Sequence, residues 1–224
     1  MIKHVSFDLW QTLIRPNPVF RVKRAEIIAG RYNLKNKTVA EIIQFIVEQD
    51  KLIERQNWTK DEKMPAIEMY KFVLQQMNAV SAESITEEAG FLLTASNKLF
   101  LEFPPEFLNP QIPDILYSLK NRGLTLSIGS NTGFVEGTVL RNLLEKSGIL
   151  HYFSFFIFSD EINSSKPSAR FFRQLWKKSA FPKSQILHIG DNNLADYQGA
   201  FDFGLNALLI TNPNYTIDDI CAKL

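Results

Sequence analysis

The chain of 224 residues is 45% hydrophobic and 22% charged, with a formal net charge of +1, proportions ordinary for a globular protein. Near-neutrality gives no broad field toward nucleic acid or an acidic membrane surface, and no apolar run approaches the roughly 18 residues of a membrane span. Cys221 is the only cysteine, which excludes an internal disulfide and favours a cytoplasmic setting.

The length suits one domain, or one domain carrying an inserted subdomain. The N-terminal run Ile2-Lys3-His4-Val5-Ser6-Phe7-Asp8 reads as a short strand ending on a carboxylate rather than as a charged segment followed by a signal core. Leu9, Trp10, Gln11 and Thr12 follow. Residues 15–107 differ in texture, being long, helical and almost free of glycine. Ile42, Ile43, Ile46, Val47 and Ile53 keep helical spacing, as do Ile67, Tyr70, Leu74 and Met77, with Pro65 tolerable in a first turn. A third helix is expected over 87–102, broken by Phe103-Pro104-Pro105.

Strand and helix patterns then alternate. A helix is expected over 111–121, with Ile112, Ile115, Leu116 and Leu119 on one face, then a buried strand over 124–129. A helix at about 137–147 and an apolar strand at 155–158 follow. Next come a helix at about 168–179, a strand at 186–189, a short helix at about 194–203 and a strand at 207–210. This order implies a parallel sheet covered by helices on both faces. The economical place for 15–107 is a cap inserted after the first strand, leaving 1–14 and 108–224 as the core. Ligands of such sheets bind at the carboxyl ends of the strands, so polar residues there matter most. They are Asp8; Ser130-Asn131; Lys166, in Ser165-Lys166-Pro167; and Asp191 and Asp196, in Gly190-Asp191-Asn192-Asn193-Leu194-Ala195-Asp196.

Each motif alone has a plain structural alternative. Asp8 can cap a turn, Ser130-Asn131 can be a turn and helix cap, Lys166 can be a solvated lysine, and Asp191 and Asp196 can cap the helix near 194. His4 and His188 read as packed core histidines, and Lys51, Glu54 and Arg55 as a solvated helix face. Together and in this order, however, the four motifs resemble the haloacid dehalogenase superfamily of hydrolases over nearly the whole chain. The resemblance implies a Rossmann-like core with a helical cap inserted after the first motif. It implies Asp8 as nucleophile, with Mg²⁺ held by Asp8, Asp191 and the main-chain carbonyl of Trp10. It also implies Ser130 and a backbone N–H near Asn131 on the phosphoryl oxygens, and Lys166 offsetting charge on both nucleophile and phosphoryl group. Asp196 would support the loop. A carboxylate attacking an anionic phosphoryl group does need such neutralisation.

One position departs from the pattern. Family phosphatases usually carry Asp two residues after the nucleophile, to protonate the leaving alkoxide and then activate water. Here it is Trp10, whose indole has no proton titrating near neutrality, and the amide of Gln11 does not replace it. Such acid/base help is typically worth roughly 10²–10⁴-fold in rate. The main expectation is an Mg²⁺-dependent phosphatase acting on a small phosphorylated metabolite through an Asp8 phosphoaspartyl intermediate. Its replacement donor would come from the cap or from Asp160 or Glu161. Two alternatives stand beside it. The first is a 2-haloacid dehalogenase, whose branch resembles this chain in having an aromatic at that position and which would need Arg15, Arg21, Arg24 or Arg31 for the substrate carboxylate. The second is a non-catalytic or regulatory protein of the same fold. The sequence carries no sign of oligomeric state.

Overall fold

The computed structural model describes residues 1–32, 37–222 and 224; residues 33–36 of the expected helical block lie outside them. The first strand, β1 (His4–Phe7), is buried throughout. A two-residue strand β2 (Ile14–Arg15) leads into four helices: α1 (Pro18–Arg31), α2 (Val39–Lys60), α3 (Ala66–Gln76) and α4 (Ile85–Glu102). The sequence pattern marked three of these; α1 is additional, started by Asn17, whose side chain caps Val19 N–H. Thr38 and Glu41 form a capping box at the start of α2, while Pro65 stands just before α3 rather than within it. Phe103 closes α4, where the Pro-Pro break was expected.

The chain returns through β3 (Glu106–Phe107), which pairs antiparallel with β2. Both edges of the helical insertion thus pass through one two-stranded ribbon, carrying the exposed ion pair Arg15–Glu106 at 3.0 Å. Strands of two residues leave no periodicity to detect, and none was expected there.

The rest alternates: α5 (Ile112–Asn121), β4 (Thr125–Ser130), α6 (Gly137–Lys146), β5 (Phe153–Phe158), a single turn α7 (Ser159–Ile162), α8 (Ala169–Ser179) and β6 (Ile186–Gly190). The helix expected near 194–203 is two pieces, a π-helical turn at Asn193–Gln198 and then α9 (Gly199–Phe203). Next come β7 (Asn206–Leu209) and α10 (Ile217–Cys221). The five long strands form one parallel sheet in the order β5-β4-β1-β6-β7. β1 is central, and the sheet grows outward on either side of it, which places the crevice where strand order reverses at the end of β1.

Alternation along β1 assigns its two faces. Val5 and Phe7 join the cluster of α5 and α6, with Leu116, Leu119, Leu140 and Leu144. His4 and Ser6 face the layer of α8 and α9, where Phe171, Phe172, Leu175 and Ala200 form a separate cluster. Buried polar groups on that side pair with one another, as burial requires. His4 Nδ1 and Nε2 meet Thr125 Oγ1 at 2.7 Å and Ser127 Oγ at 2.8 Å, and the ring stacks on Phe155. Helices therefore cover both faces of the sheet. The helical insertion has its own apolar cluster, built on Ile28, Ile42, Ile46, Ile53, Tyr70, Leu74 and Leu92. Phe134, from the loop after β4, inserts into it. Among the described residues, no helix is long and apolar enough to cross a membrane.

Candidate active site

Asp8 leaves β1 at its carboxyl end, with its amide bonded to Ile189 O at 2.8 Å. The chain then folds back sharply. Leu13 and Ile14 N–H both reach Leu9 O, and Gln11 takes the left-handed conformation at φ 56°. That conformation favours glycine. The carboxylate is 6% exposed. Beside it lies Lys166, fully buried, whose Nζ is 2.6 Å from Asp8 Oδ1, 2.5 Å from Asp196 Oδ1 and 2.7 Å from Gly129 O. An ammonium has three donors, and all three are used. Asn131 fixes the lysine's backbone on both sides. Its Oδ1 accepts Lys166 N–H at 2.8 Å, and its amide group donates to Lys166 O at 3.0 Å.

Asp196 is the hub opposite Asp8. Its Oδ1 accepts from Lys166 and from His188 Nε2 at 3.2 Å, and its Oδ2 accepts Asn192 N–H at 3.0 Å. His188 Nδ1 lies 3.1 Å from Ser6 Oγ. The glycine before Asp191 follows from this packing: a Cβ on Gly190 would lie 2.2 Å from Asp196 Cγ.

Electrostatics follow from burial and these contacts. Burial drives the Asp8 carboxyl up to about 7; Lys166 pulls it down, while Asp196 and Asp191 add to the rise. Burial also opposes charge on Asp196, yet Lys166 and His188 hold it below the usual carboxylate range. Lys166 is disfavoured by burial, but its two carboxylates outweigh that and raise it. His188 is lowered by burial, so the neutral ring donates Nε2–H to Asp196 and accepts the Ser6 hydroxyl. Asp191 is exposed at the mouth of this group and raised by burial of its surroundings and by Asp196.

Carboxylate oxygens of Asp8, Asp191 and Asp196 lie within 4.8 Å of one another. Such hard oxygen donors suit Mg²⁺. With both oxygens of Asp196 committed to protein donors, the carboxylates open to a cation are Asp191 and the second oxygen of Asp8.

A cavity of about 380 Å³ opens over this group. Its floor includes Asp8, Lys166, Asp191 and Asp196. Trp10 lines one side, edge-on to Phe100 of α4 with ring centres 6.1 Å apart. Residues of the helical insertion form the roof, among them Arg21, Arg24, Asp50, Lys51, Glu54 and Trp58. The solvated-face reading of Glu54 is thereby corrected, since it is half-buried and faces the cavity; Lys51 also lines the cavity but is exposed, as expected. The carboxylates at 50 and 54, one helical turn apart beside the apolar stripe 42, 46, 53, were the available signal.

Other sequence expectations meet different surroundings. Ser130 is fully buried, donates to Asn131 O at 3.3 Å and does not line the cavity; Asn131, Thr132 and Gly133 do. Thr12 is buried with no partner for its hydroxyl among the described residues, while its carbonyl accepts the Tyr215 hydroxyl at 3.0 Å. Asp160 and Glu161 are turned away, accepting from Gly137 N–H and from Arg141. Arg15 and Arg31 are paired with Glu106 and Glu88, leaving Arg21 and Arg24 as the arginines on the cavity.

The fold and site together define a hydrolase of the haloacid dehalogenase class. A profile of the haloacid dehalogenase-like hydrolases matches residues 2–204, and the chain belongs to that family. It is 26% identical over 126 residues to mouse haloacid dehalogenase-like hydrolase domain-containing protein 3, covering 55% of this chain and 49% of that protein. It is 27% identical over 219 residues to the pyrimidine 5′-nucleotidase PynA of Streptococcus pneumoniae, covering 95% of this chain and 85% of that one. The chain thus spans about half the length of the first of these relatives and most of the second. The crystal structure of YfnB, a proposed HAD-hydrolase of Bacillus subtilis bound to magnesium, has the same fold. Its TM-score is 0.66 at 19% identity, covering 96% of this chain and 91% of that one.

Proposed function

We propose that this hydrolase is an Mg²⁺-dependent phosphatase of small phosphorylated metabolites, with Asp8 as nucleophile and the helical insertion as the cap that closes over the substrate. The observation that carries the reading is the set Asp8, Asp191 and Asp196 within 4.8 Å of one another around buried Lys166. An acidic floor of this kind repels an anionic substrate unless a cation lies between them. The nucleotidase relative and the magnesium-bound structural neighbour support a phosphate ester and a metal.

Asp8, Asp191 and the main-chain carbonyl of Trp10 would hold Mg²⁺, which when bound offsets the charge of the transferring phosphoryl group. A backbone ligand is indifferent to the side chain at position 10. Lys166 holds Asp8 in place and neutralises it. Its three donors are occupied, so any contact with the phosphoryl group would come by exchanging one of them. The expected hydroxyl role of Ser130 would pass to the backbone N–H groups of Asn131 and Gly133, which line the cavity, since Thr132 N–H is bonded to Ser159 Oγ at 2.9 Å. Asp8 then attacks phosphorus as the ester P–O bond breaks and the alcohol leaves; water next attacks the phosphoaspartyl group, breaking the Asp8 O–P bond and releasing phosphate. The balance of charge and the single cysteine support a cytoplasmic protein.

The test pairs an aryl phosphate, with and without Mg²⁺, against a 2-haloacid, using Asp8→Asn as control. Mg²⁺-dependent phosphate release lost in the variant is expected. Metal-free halide release would instead establish the dehalogenase, and Mg²⁺ binding without turnover of either would establish the non-catalytic alternative.

A further inference from the structure

Position 10 lacks the carboxyl that phosphoryl transfer by an aspartate ordinarily uses, and Trp10 packed on Phe100 fills that side of the cavity. A proton donor has to come from another wall. Five carboxyl groups line the cavity among the described residues: Asp8, Asp50, Glu54, Asp191 and Asp196. Asp8 and Asp191 are taken by the reading above, and Asp196 has both oxygens bonded. Asp50 feels Arg24, Lys63 and Arg21, the cations of the helical insertion itself.

Glu54 shares with Asp50 a carboxyl raised by burial and the lack of a hydrogen-bond partner among the described residues, and differs in the charges around it. It lies one helical turn further along α2, and the charges it feels after Asp50 are those of the floor: Asp191, Asp196 and Lys166. It makes no hydrogen bond or ion pair among the described residues. Several other acids of the insertion do: Glu41 closes the cap on Thr38, Glu68 pairs with Lys71, and Glu88 with Arg31 and Tyr32. Its neighbours on α2 fix its direction. Ile42 and Ile46 bury into the apolar cluster of the insertion, while Asp50 and Trp58, one turn either side, line the cavity. Burial and the surrounding negative charge raise its carboxyl above the usual range, which suits a group that must hold a proton near neutrality and give it up.

We propose that Glu54, from the helical insertion, supplies the acid/base carboxyl that position 10 lacks. This rests on the phosphatase reading. In the first step an Asp8 oxygen bonds to phosphorus, the ester P–O bond breaks, and the leaving oxygen takes the Glu54 proton to depart as an alcohol. In the second, the Glu54 carboxylate takes a proton from water as its oxygen bonds to phosphorus. The Asp8–phosphorus bond then breaks, leaving Asp8 ionised, Glu54 protonated and phosphate free. The catalytic carboxyl is thereby carried by the element that covers the cavity.

The test uses the full chain with Mg²⁺ and two esters: glycerol 2-phosphate, whose alkoxide needs a proton, and p-nitrophenyl phosphate, whose phenolate leaves without one. Glu54→Gln changes no volume and removes only the proton. Its turnover of glycerol 2-phosphate should fall roughly 10²–10⁴-fold. On p-nitrophenyl phosphate it should release one equivalent of nitrophenolate per enzyme rapidly and then slow, as phosphoenzyme accumulates for want of a base. Trp10→Asp placed in the Glu54→Gln background should recover at least about tenfold on glycerol 2-phosphate. Equal turnover of both esters by Glu54→Gln and wild type, with Asp8→Asn inactive, would overturn the role of Glu54 and leave the phosphatase standing. A uniform loss without a burst, in a double variant that melts like wild type and recovers nothing, would also overturn it. Undiminished turnover in Asp8→Asn would overturn the phosphatase reading itself.

Discussion

The floor and the roof of the cavity are built on opposite plans. On the floor the groups around Lys166 are committed, leaving Asp191 and the second oxygen of Asp8 open. Lys166 uses three donors, Asp196 three acceptor contacts, and Asn131 both ends of its amide. On the roof, Arg21, Asp50, Lys51 and Glu54 make no hydrogen bond among the described residues, and Arg24 Nε is buried without a partner. Arg24 lies over the Phe20 and Phe134 rings instead. A saturated network holds one geometry, as a reacting centre needs; unsaturated groups await something that is not protein. On the proposed reading, the core fixes the reacting geometry and the insertion meets the substrate.

Breaking the floor should cost most. Lys166→Met leaves Asp8 and Asp196 facing each other without their cation. Loss of one partner from a buried charge network is expected to destabilise by about 3–5 kcal/mol, measurable by urea unfolding, with turnover abolished. The same kind of loss from the roof should barely register in stability, because Glu54→Gln gives up no bond.

The buried histidines sharpen the same contrast through pH. His4 is lowered to about 4 by burial, with His188 adding to the effect. Its unfolded value is near 6.5, so between the two the unfolded chain binds the proton that the folded chain refuses. The contribution of His4 is complete above about 6.5 and is lost as pH drops toward 4, by on the order of 3 kcal/mol, against the raised Asp8 carboxyl, which favours the folded state as pH falls through about 7. Unfolding measured at several pH values should show the His4 loss as a gap between wild type and His4→Asn that narrows as pH falls from 6.5 toward 4.

Gly190→Ala should cost about 1–3 kcal/mol, because the new methyl collides with the Asp196 carboxylate and one of them must shift. At the low end, Arg15→Ala should change the midpoint by no more than about 1 kcal/mol, since its pair with Glu106 is exposed and screened.

Asp8 and Asp191 were legible in the sequence as carboxylates directly after apolar strands. Lys166, in the polar loop after α7, and Asp196, inside the π-helical turn, close no apolar run and were marked only by the family resemblance. What Ser130 does was not legible, because its position at the end of β4 does not say which way the hydroxyl turns. The roof was misread for a physical reason. The polar stripe of an amphipathic helix ordinarily faces water, and Glu54 fits that rule until the helix is laid across a cavity. The ribbon β2–β3 and the π-helical turn before α9 were likewise unreadable. The first is too short for a period, and the second is shaped by Asn192, which caps Leu194 and Ala195, and by the bond from Asp196 to the Asn192 amide.

The central claim is that Asp8 becomes phosphorylated during turnover. Quenching the Mg²⁺-loaded chain during turnover of p-nitrophenyl phosphate, followed by peptide mass spectrometry, tests this directly. A phosphoryl adduct on Asp8, absent without Mg²⁺ and absent from Asp8→Asn, is the predicted result. Steady phosphate release with Asp8 never modified, or persisting in Asp8→Asn, would contradict it.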